Sequence, residues 1–274
     1  MIFRLRFHIG LPHSFFRMNC SQCAARHEHL SNTDPTHLIP SLCEQFYHLG
    51  WVTGTGGSIS IRERHNEKTG QDLVYITPSG VHKERILSND LYCTTASDES
   101  NIISCPAPEL GYRMSQCTPL FYNAYQLRDA GAVIHTHSVN AVMATMLFEQ
   151  KGIHEFRITH QEMIKGIKIG NGPAYHKYFD TLVVPIIENT PNERDLKASM
   201  QQAMEKYPHT NAVLVRRHGI YVWGSSWQEA KSMCECYDYL LGVAVEMMKG
   251  GMDPAAVPAA SPYKDEMQVF GPRE

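Results

Sequence analysis

The chain has 274 residues, which is enough to bury one large hydrophobic core or two smaller ones. Its formal net charge of −3 and its isoelectric point near 6.6 argue against general binding to nucleic acids or anionic membranes. No apolar run reaches the roughly 20 residues that a membrane-spanning helix needs. Eight cysteines without an evident signal peptide predict reduced thiols and a cytoplasmic protein.

Residues 1–33 differ in composition from the remainder, and we predict a variable, disordered leader there. Four arginines precede the first acidic residue, a pattern that also occurs in mitochondrial transit peptides. Met18 offers an alternative start. Two cysteines and two histidines in this segment are spaced too closely for the usual zinc finger, so we predict no zinc site from Cys20, Cys23, His27 and His29.

The ordered part of the chain begins with a helical pattern over residues 36–50. A loop rich in glycine and threonine, residues 54–57, then leads into a predicted strand over residues 58–62. Such a loop can present several backbone N–H groups to an anion. No Gly-Lys-Ser/Thr sequence follows, so it is not a Walker loop, and a plain hairpin connection is the alternative.

A second hydroxyl-rich turn follows the predicted strand over residues 73–77. Ser79 and Gly80 in this turn could add contacts to an anion, whereas Lys83 and Arg85 are expected to be solvated at the surface. The pattern continues with a strand over residues 91–95 and a surface excursion over 96–114. A helix over residues 119–129 comes after Cys117.

His135 and His137 are the most informative pair in the sequence. The preceding Ala-Val-Ile run predicts a strand that leaves a glycine turn. Alternate side chains of a strand share one face, so the two imidazoles are expected to point the same way. Imidazole is a good ligand for Zn²⁺, Fe²⁺ and similar ions. Two unrelated histidines on a polar strand face are the alternative.

The second half of the chain supplies a third histidine and a carboxylate. Helices are predicted over residues 139–148, 192–207 and 227–248, and strands over 182–187, 212–217 and 220–224. His218 ends the apolar strand before a glycine turn. Glu162 lies in a mixed apolar segment, where it is either an acid/base group or an exposed residue. Three histidines from two strands match the catalytic pattern of three protein ligands and one open position.

Several motifs resemble the class II aldolase and adducin family. They are the His135-Thr-His137 strand, the Arg-Arg-His218-Gly segment, Gly54-Thr-Gly-Gly-Ser58 and Thr77-Pro-Ser-Gly80. The resemblance covers about residues 37–250, and it implies an α/β fold. The expected architecture is a three-layer α/β/α class II aldolase-like domain with a central, mostly antiparallel mixed sheet. We therefore predict a leader at 1–33, a catalytic domain at 34–250 and a C-terminal tail at 251–274.

Within that family, further motifs resemble the animal-type methylthioribulose-1-phosphate dehydratases: Ser115-Gln-Cys-Thr-Pro-Leu-Phe121, Ile158-Thr-His-Gln-Glu-Met-Ile-Lys-Gly166 and Val215-Arg-Arg-His-Gly219. This resemblance implies dehydration of 5-methylthioribulose 1-phosphate to 2,3-diketo-5-methylthiopentyl 1-phosphate in methionine salvage. It also implies a cytoplasmic homotetramer with sites near subunit interfaces. A second role as a cell-death inhibitor, with apoptosis or inflammasome protein partners, is implied by the resemblance alone.

The resemblance also implies roles for individual residues. His135, His137 and His218 would hold one Zn²⁺ per subunit, and Glu162 would be the catalytic acid/base. Cys117 would line the substrate site. The positions that match the phosphate contacts of the family are Gly57, Ser58, Ser79, Gly80, Ser115 and Gln116.

One departure from the family pattern separates dehydration from its alternatives. Related sugar-phosphate aldolases carry a proton-transferring Glu where this chain has Cys117, and a thiol does not replace a carboxylate directly. This departure argues against retro-aldol chemistry and leaves the acid/base role to Glu162. An aldolase or epimerase is the first alternative to dehydration. A non-enzymatic, adducin-like binding protein is the second, and the complete set of three histidines argues against it.

Overall fold

The computed structural model describes residues 34–273. The predictions for the leader, the alternative start at Met18 and the cysteine–histidine group lie outside the described residues. No helix within the described residues is long and apolar enough to cross a membrane.

The described chain alternates strands with α-helices and short 3-10 turns. The α-helices are α1 (Pro35–His48), α2 (Thr118–Arg128), α3 (Val139–Gln150), α4 (Lys197–Lys206) and α5 (Trp227–Lys249). The first five strands are β1 (Ser58–Glu63), β2 (Leu73–Ile76), β3 (Tyr92–Thr95), β4 (Asp98–Ser104) and β5 (Ala132–Thr136). The others are β6 (Glu155–Ile158), β7 (Leu182–Ile187), β8 (Ala212–Val215) and β9 (Gly219–Gly224).

All of these strands form one open sheet in the order β4-β3-β2-β1-β5-β9-β8-β7-β6. Neighbours pair antiparallel except β7 and β8, which run parallel. The predicted mixed, mostly antiparallel sheet is therefore confirmed. β5 lies in the middle, with His135 opposite Ser58 of β1 on one side and opposite Tyr221 of β9 on the other.

Helices cover both faces of the sheet, which gives the predicted three layers. One core packs α1, α3 and α5 against one face, and Ile134 of β5 belongs to it. The second core packs α2 and α4 against the other face and contains Val133. Because strand residues alternate between faces, His135 shares the face of Val133 and contacts the second core through Tyr221. This alternation fixes the direction of the first imidazole.

Two stretches differ from the sequence-based expectations. The predicted surface excursion over residues 96–114 contains β4, which pairs with β3 at the edge of the sheet. Most of its residues are exposed, so it lacks the buried alternate positions that reveal a strand. The helix expected over 192–207 begins instead with a 3-10 turn, Glu193–Leu196, and becomes α-helical at Lys197.

The segment after α5 packs against the body of the domain. Pro254 accepts a backbone hydrogen bond from Thr159 at 3.1 Å. The Tyr263 ring stacks on Phe179 with centroids 4.6 Å apart, and Phe270 packs edge-on against His176. The region predicted as a tail thus covers the end of β6 and the approach to β7.

Candidate metal and substrate site

Three histidines converge at one end of the central strands. His135 is on β5, His137 follows that strand directly, and His218 lies in the turn between β8 and β9. Nε2 of His137 is 3.0 Å from Nε2 of His135 and 3.0 Å from Nε2 of His218. The sequence-based grouping of these three side chains is matched by the geometry.

Hydrogen bonds behind two of the rings assign their protons. Nδ1 of His135 lies 3.0 Å from the carbonyl oxygen of Ile220, and Nδ1 of His218 lies 3.1 Å from Oδ1 of Asn189. Because both oxygens only accept, each Nδ1 carries the proton and donates it. The Nε2 lone pairs then point toward one another, an arrangement that a bound cation stabilises.

The spacing of the histidine nitrogens fits a metal ion. Zn–N bonds of 2.0–2.1 Å at tetrahedral angles place neighbouring ligand atoms about 3.3 Å apart. The two Nε2 separations of 3.0 Å are close to that value. The described residues can therefore hold a small divalent cation at this position.

A carboxylate that the sequence analysis did not select completes the cluster. Oε1 of Glu193 lies 3.0 Å from Nε2 of His135 and 3.5 Å from Nε2 of His218. The ligand atoms of Glu193 and the three histidines all lie within 4.8 Å of one another. The buried hydroxyl of Tyr221 donates to the same Oε1 at 2.5 Å. Its ring stacks on His135 with centroids 4.0 Å apart.

The electrostatics of the cluster favour neutral imidazoles beside an ionised carboxylate. Burial, with a smaller effect of the neighbouring histidines, lowers the pKa of His137 to about 3 and that of His218 to about 4. Burial alone would raise the pKa of Glu193. The proximity of His135 and the hydrogen bond that the Tyr221 hydroxyl donates outweigh burial and hold this pKa below its ordinary value. Unprotonated imidazoles and a carboxylate are the forms that bind metals.

A cavity of about 480 Å³ opens beside this cluster. Its lining includes five of the residues predicted to contact substrate: Gly57, Ser79, Ser115, Gln116 and Cys117. Two other predicted contacts, Ser58 and Gly80, do not line it. The Ser58 hydroxyl is buried behind the wall, 2.7 Å from Oγ1 of Thr77 and 3.2 Å from Oγ of Ser115. Ser58 thus supports the wall through Ser115.

Lys83 lines the cavity, which corrects the expectation that its charge is solvated at the surface. Only 1% of the residue is exposed, and it lies between the buried Val81 and Ile86. Nζ donates to the carbonyls of Thr55 at 3.0 Å and Val81 at 3.3 Å. Burial lowers the pKa of Lys83. Within residues 34–273 its ammonium forms no ion pair, so its remaining donor is free for an anionic ligand.

The N-terminal end of α2 forms another wall. Cys117 is the residue before this helix, and Ser115 and Gln116 precede it. The helix dipole favours an anion at such an end. Burial raises the pKa of the Cys117 thiol well above its usual range, so the group is protonated and does not act as a base near neutral pH.

Glu162 is separate from the cavity lining. It begins a 3-10 turn, Glu162–Gly166, and its carboxylate pairs with Nζ of Lys165 at 2.6 Å. The side chain is 74% exposed. Within one chain the structure thus groups the predicted metal ligands with most of the predicted substrate contacts, but not with Glu162.

Two further lining residues had only weak signals in the sequence. Asn189 was not selected because its link to His218 depends on the path of the loop after β7. Arg217, beside His218, adopts a left-handed backbone with φ of 56° and pairs with Glu149 at 2.7 Å. Such a conformation is uncommon outside glycine and is often found at functional sites.

The sequence matches the family model described as class II aldolase and adducin N-terminal domain over residues 37–245. A methylthioribulose-1-phosphate dehydratase of Aquarana catesbeiana is 58% identical over 241 residues, covering 88% of this chain and 95% of that protein. The Homo sapiens protein of the same name is 56% identical, covering 86% of this chain and 93% of its own length. The Danio rerio protein is 60% identical, covering 82% and 88% respectively.

Solved structures support the same fold. An L-fuculose 1-phosphate aldolase superposes with a TM-score of 0.61 at 21% identity, covering 84% of this chain and 93% of that chain. A sugar-phosphate aldolase from Thermotoga maritima superposes with a TM-score of 0.53 at 14% identity, covering 85% of this chain and all of its own. The predicted fold class is therefore confirmed.

Proposed function

Because this chain belongs to the class II aldolase and adducin family, we propose that it is a zinc-dependent dehydratase of 5-methylthioribulose 1-phosphate. The product would be 2,3-diketo-5-methylthiopentyl 1-phosphate. The observation that carries the proposal is the convergence of His135, His137 and His218 beside a cavity that has Cys117 in place of an aldolase glutamate. Relatives at 56–60% identity bear the name of this activity.

The three histidines would hold Zn²⁺ through Nε2, with Ile220 and Asn189 fixing two of the rings from behind. The metal would polarise the substrate carbonyl as a Lewis acid and so acidify the neighbouring C–H bond. The other tasks fall to protein groups. These are binding the phosphate, orienting the sugar chain, and moving protons at C3 and at the C4 hydroxyl.

Phosphate binding is proposed for the wall that contains Lys83 and the end of α2. The buried ammonium of Lys83 supplies a full positive charge, and Ser79 and Ser115 supply hydroxyl groups. Gly57 and Gln116 lie on the same cavity surface. Clustering a cation with a helix N-terminus is a common way to bind a phosphate group. The protonated thiol of Cys117 would contact the sugar chain.

Glu162 is proposed as the acid that donates a proton to the departing C4 hydroxyl. Glu162 does not line the cavity of its own chain, so this role requires a cavity in another subunit. Glu162 would act on the site of a neighbouring subunit in the homotetramer that the family resemblance implies. Its exposed carboxylate is compatible with this role, because a group that serves another subunit lies at the surface of its own chain.

The cellular setting is also proposed. Six cysteines within the described residues are free, which supports a reducing, cytoplasmic environment. A 2,3-diketone that retains the methylthio group fits methionine salvage. The role in cell death and its protein partners stay predictions.

Product analysis separates dehydration from the alternatives. Purified zinc-loaded protein incubated with 5-methylthioribulose 1-phosphate should release the diketone phosphate without breaking a C–C bond. An aldolase would instead produce a three-carbon phosphate and an aldehyde, and an adducin-like binding protein would leave the substrate intact. Either of these results would contradict the proposal.

Mixed oligomers test the role of Glu162. Glu162→Gln should keep zinc and the fold but lower turnover by about 10²–10⁴-fold, as loss of a general acid does. Lys165→Gln removes the partner of the same ion pair and is the matched control, so it should stay active. Co-expressed Glu162→Gln and His218→Ala subunits should regain activity if the carboxylate crosses an interface. Near-wild-type turnover of Glu162→Gln would remove it from the mechanism.

A further inference from the structure

Glu193 reaches the histidine cluster because of the path of the chain after β7. The backbone passes through Asn189 and enters the 3-10 turn that Glu193 begins. The amide N–H of Glu193 lies 3.3 Å from Oε1 of Gln116 and donates to it. This bond ties the turn to the residues before α2. The carboxylate is therefore placed by both its backbone and its side chain.

The position of the Glu193 oxygen matches a ligand position. Oε1 lies 3.0 Å from Nε2 of His135 and 3.5 Å from Nε2 of His218. These separations bracket the edge of about 3.3 Å expected in a tetrahedral zinc site. The histidine nitrogens supply two further edges of 3.0 Å. Oε1 of Glu193 therefore lies at a ligand-to-ligand distance from two of the three histidines, and all four ligand atoms lie within 4.8 Å of one another.

Tyr221 holds the same oxygen from behind. Its hydroxyl donates to Oε1 of Glu193 at 2.5 Å, and its ring stacks on His135 with an interplanar angle of 9°. Tyr221 is fully buried on β9. One rigid side chain thus positions a histidine and the carboxylate together. Orienting contacts of this kind are typical behind metal ligands.

We propose that Glu193 is a fourth protein ligand of the metal while no substrate is bound. The inference rests on the metal site of the proposed function and adds a residue to it. It also supplies a carboxylate to a site where Cys117 offers only a protonated thiol. Substrate would then bind by displacing Glu193 or by expanding the coordination to five ligands.

Zinc affinity of the full-length protein is the first test, measured by competition with a chromophoric chelator. Glu193→Gln should weaken zinc binding by more than about 10-fold, the loss found even for residues behind a ligand. Asp195→Asn is the matched control, because Asp195 is an exposed carboxylate on the same 3-10 turn and, among residues 34–273, its side chain accepts a hydrogen bond from Asn192 alone. Its zinc affinity should equal that of wild type. Equal affinity of Glu193→Gln and wild type would overturn the inference.

The absorption spectrum of the Co²⁺-substituted protein is the second test, because its bands depend on the donor atoms. Glu193→Gln and Glu193→Ala should both shift the visible bands. Tyr221→Phe keeps the carboxylate and should leave the bands in place while weakening affinity. Unchanged spectra in both Glu193 variants would overturn direct coordination even if affinity fell, because loss of charge alone would then explain the effect.

The same measurements separate this inference from the proposed function. Wild-type protein that binds no zinc would contradict the three-histidine site and Glu193 together. Wild-type protein that binds zinc through the histidines, with no response to Glu193 substitution, would overturn only the fourth ligand. Far-ultraviolet circular dichroism of each metal-free variant shows that the fold is retained.

Discussion

Gly56 and His137 pack so closely that no side chain fits between them. A Cβ atom on Gly56 would lie 2.4 Å from Nδ1 and 2.8 Å from Cε1 of His137. Contacts this short force one group to move. The glycine-rich loop therefore has a role besides a possible anion contact, which is to leave room for the second metal ligand.

Gly56→Ala should displace the His137 ring and weaken zinc binding by about 10–100-fold, by analogy with other residues that orient ligands. Isothermal titration of the metal-free protein with Zn²⁺ measures this change. Gly54→Ala is the control, because that position has a φ of 64° and no atom within 4 Å of an added Cβ. It should cost about 1 kcal/mol of stability through backbone strain but leave zinc affinity unchanged. Wild-type affinity in Gly56→Ala would show that His137 is not a ligand in this position.

His135→Ala and His218→Ala should each lose stoichiometric zinc, because each removes one of three converging nitrogens. Elemental analysis after dialysis measures the metal content. Asn189→Leu removes the acceptor behind His218 and should weaken zinc binding by about 10–100-fold without abolishing it. His82→Ala, which removes an exposed imidazole, serves as the control. Full zinc content in His218→Ala would refute the ligand assignment.

Lys83→Met should affect stability and substrate binding in opposite directions. Removing a buried charge that forms no ion pair within the described residues should raise the free energy of unfolding by about 1 kcal/mol, provided that water satisfies the two carbonyls at the cavity. Losing the cation should raise the KM for the phosphorylated substrate by at least about 10-fold. Arg85→Gln removes a charge from an 81% exposed side chain and should change neither quantity. An unchanged KM in Lys83→Met would exclude Lys83 from phosphate binding.

His176 should make stability depend on pH below neutrality. Burial lowers its pKa to about 4, whereas the unfolded chain takes up a proton near pH 6.5. The contribution of His176 leaves the free energy of unfolding unchanged above pH 6.5. As the pH falls toward 4, the same contribution lowers the free energy of unfolding by at most about 3 kcal/mol. His176→Phe should reduce this loss, with both curves parallel above pH 7. Denaturant unfolding at a series of pH values measures the free energy of unfolding of both proteins. The same pH dependence in wild type and variant between pH 4 and 6.5 would contradict the prediction.

The histidine ligands were predictable from sequence because local rules place them. A strand puts alternate side chains on one face, and glycine turns mark where each strand ends. The same periodicity predicted the main helices and the central strands, which bury apolar residues at regular intervals. The edge strand β4 was missed because its exposed residues carry no such pattern.

Glu193 and Lys83 were missed for a different reason. In the sequence, Glu193 fits the first turn of a predicted helix. In the structure, the 3-10 turn and the hydrogen bond to Gln116 direct its side chain toward the histidines. Lys83 follows a polar turn, so a solvated charge is the ordinary expectation for it. Its burial depends on contacts with Thr55, which is distant in sequence. Long-range packing of this kind leaves little trace in the local sequence.

Zinc titration of the metal-free enzyme, with turnover of 5-methylthioribulose 1-phosphate and bound metal measured in the same samples, tests the central claim most directly. We expect dehydration to rise in proportion to bound zinc and to stop rising at one ion per subunit. His218→Ala should show neither binding nor turnover. Full dehydratase activity in protein that has been shown to contain no metal would contradict the account.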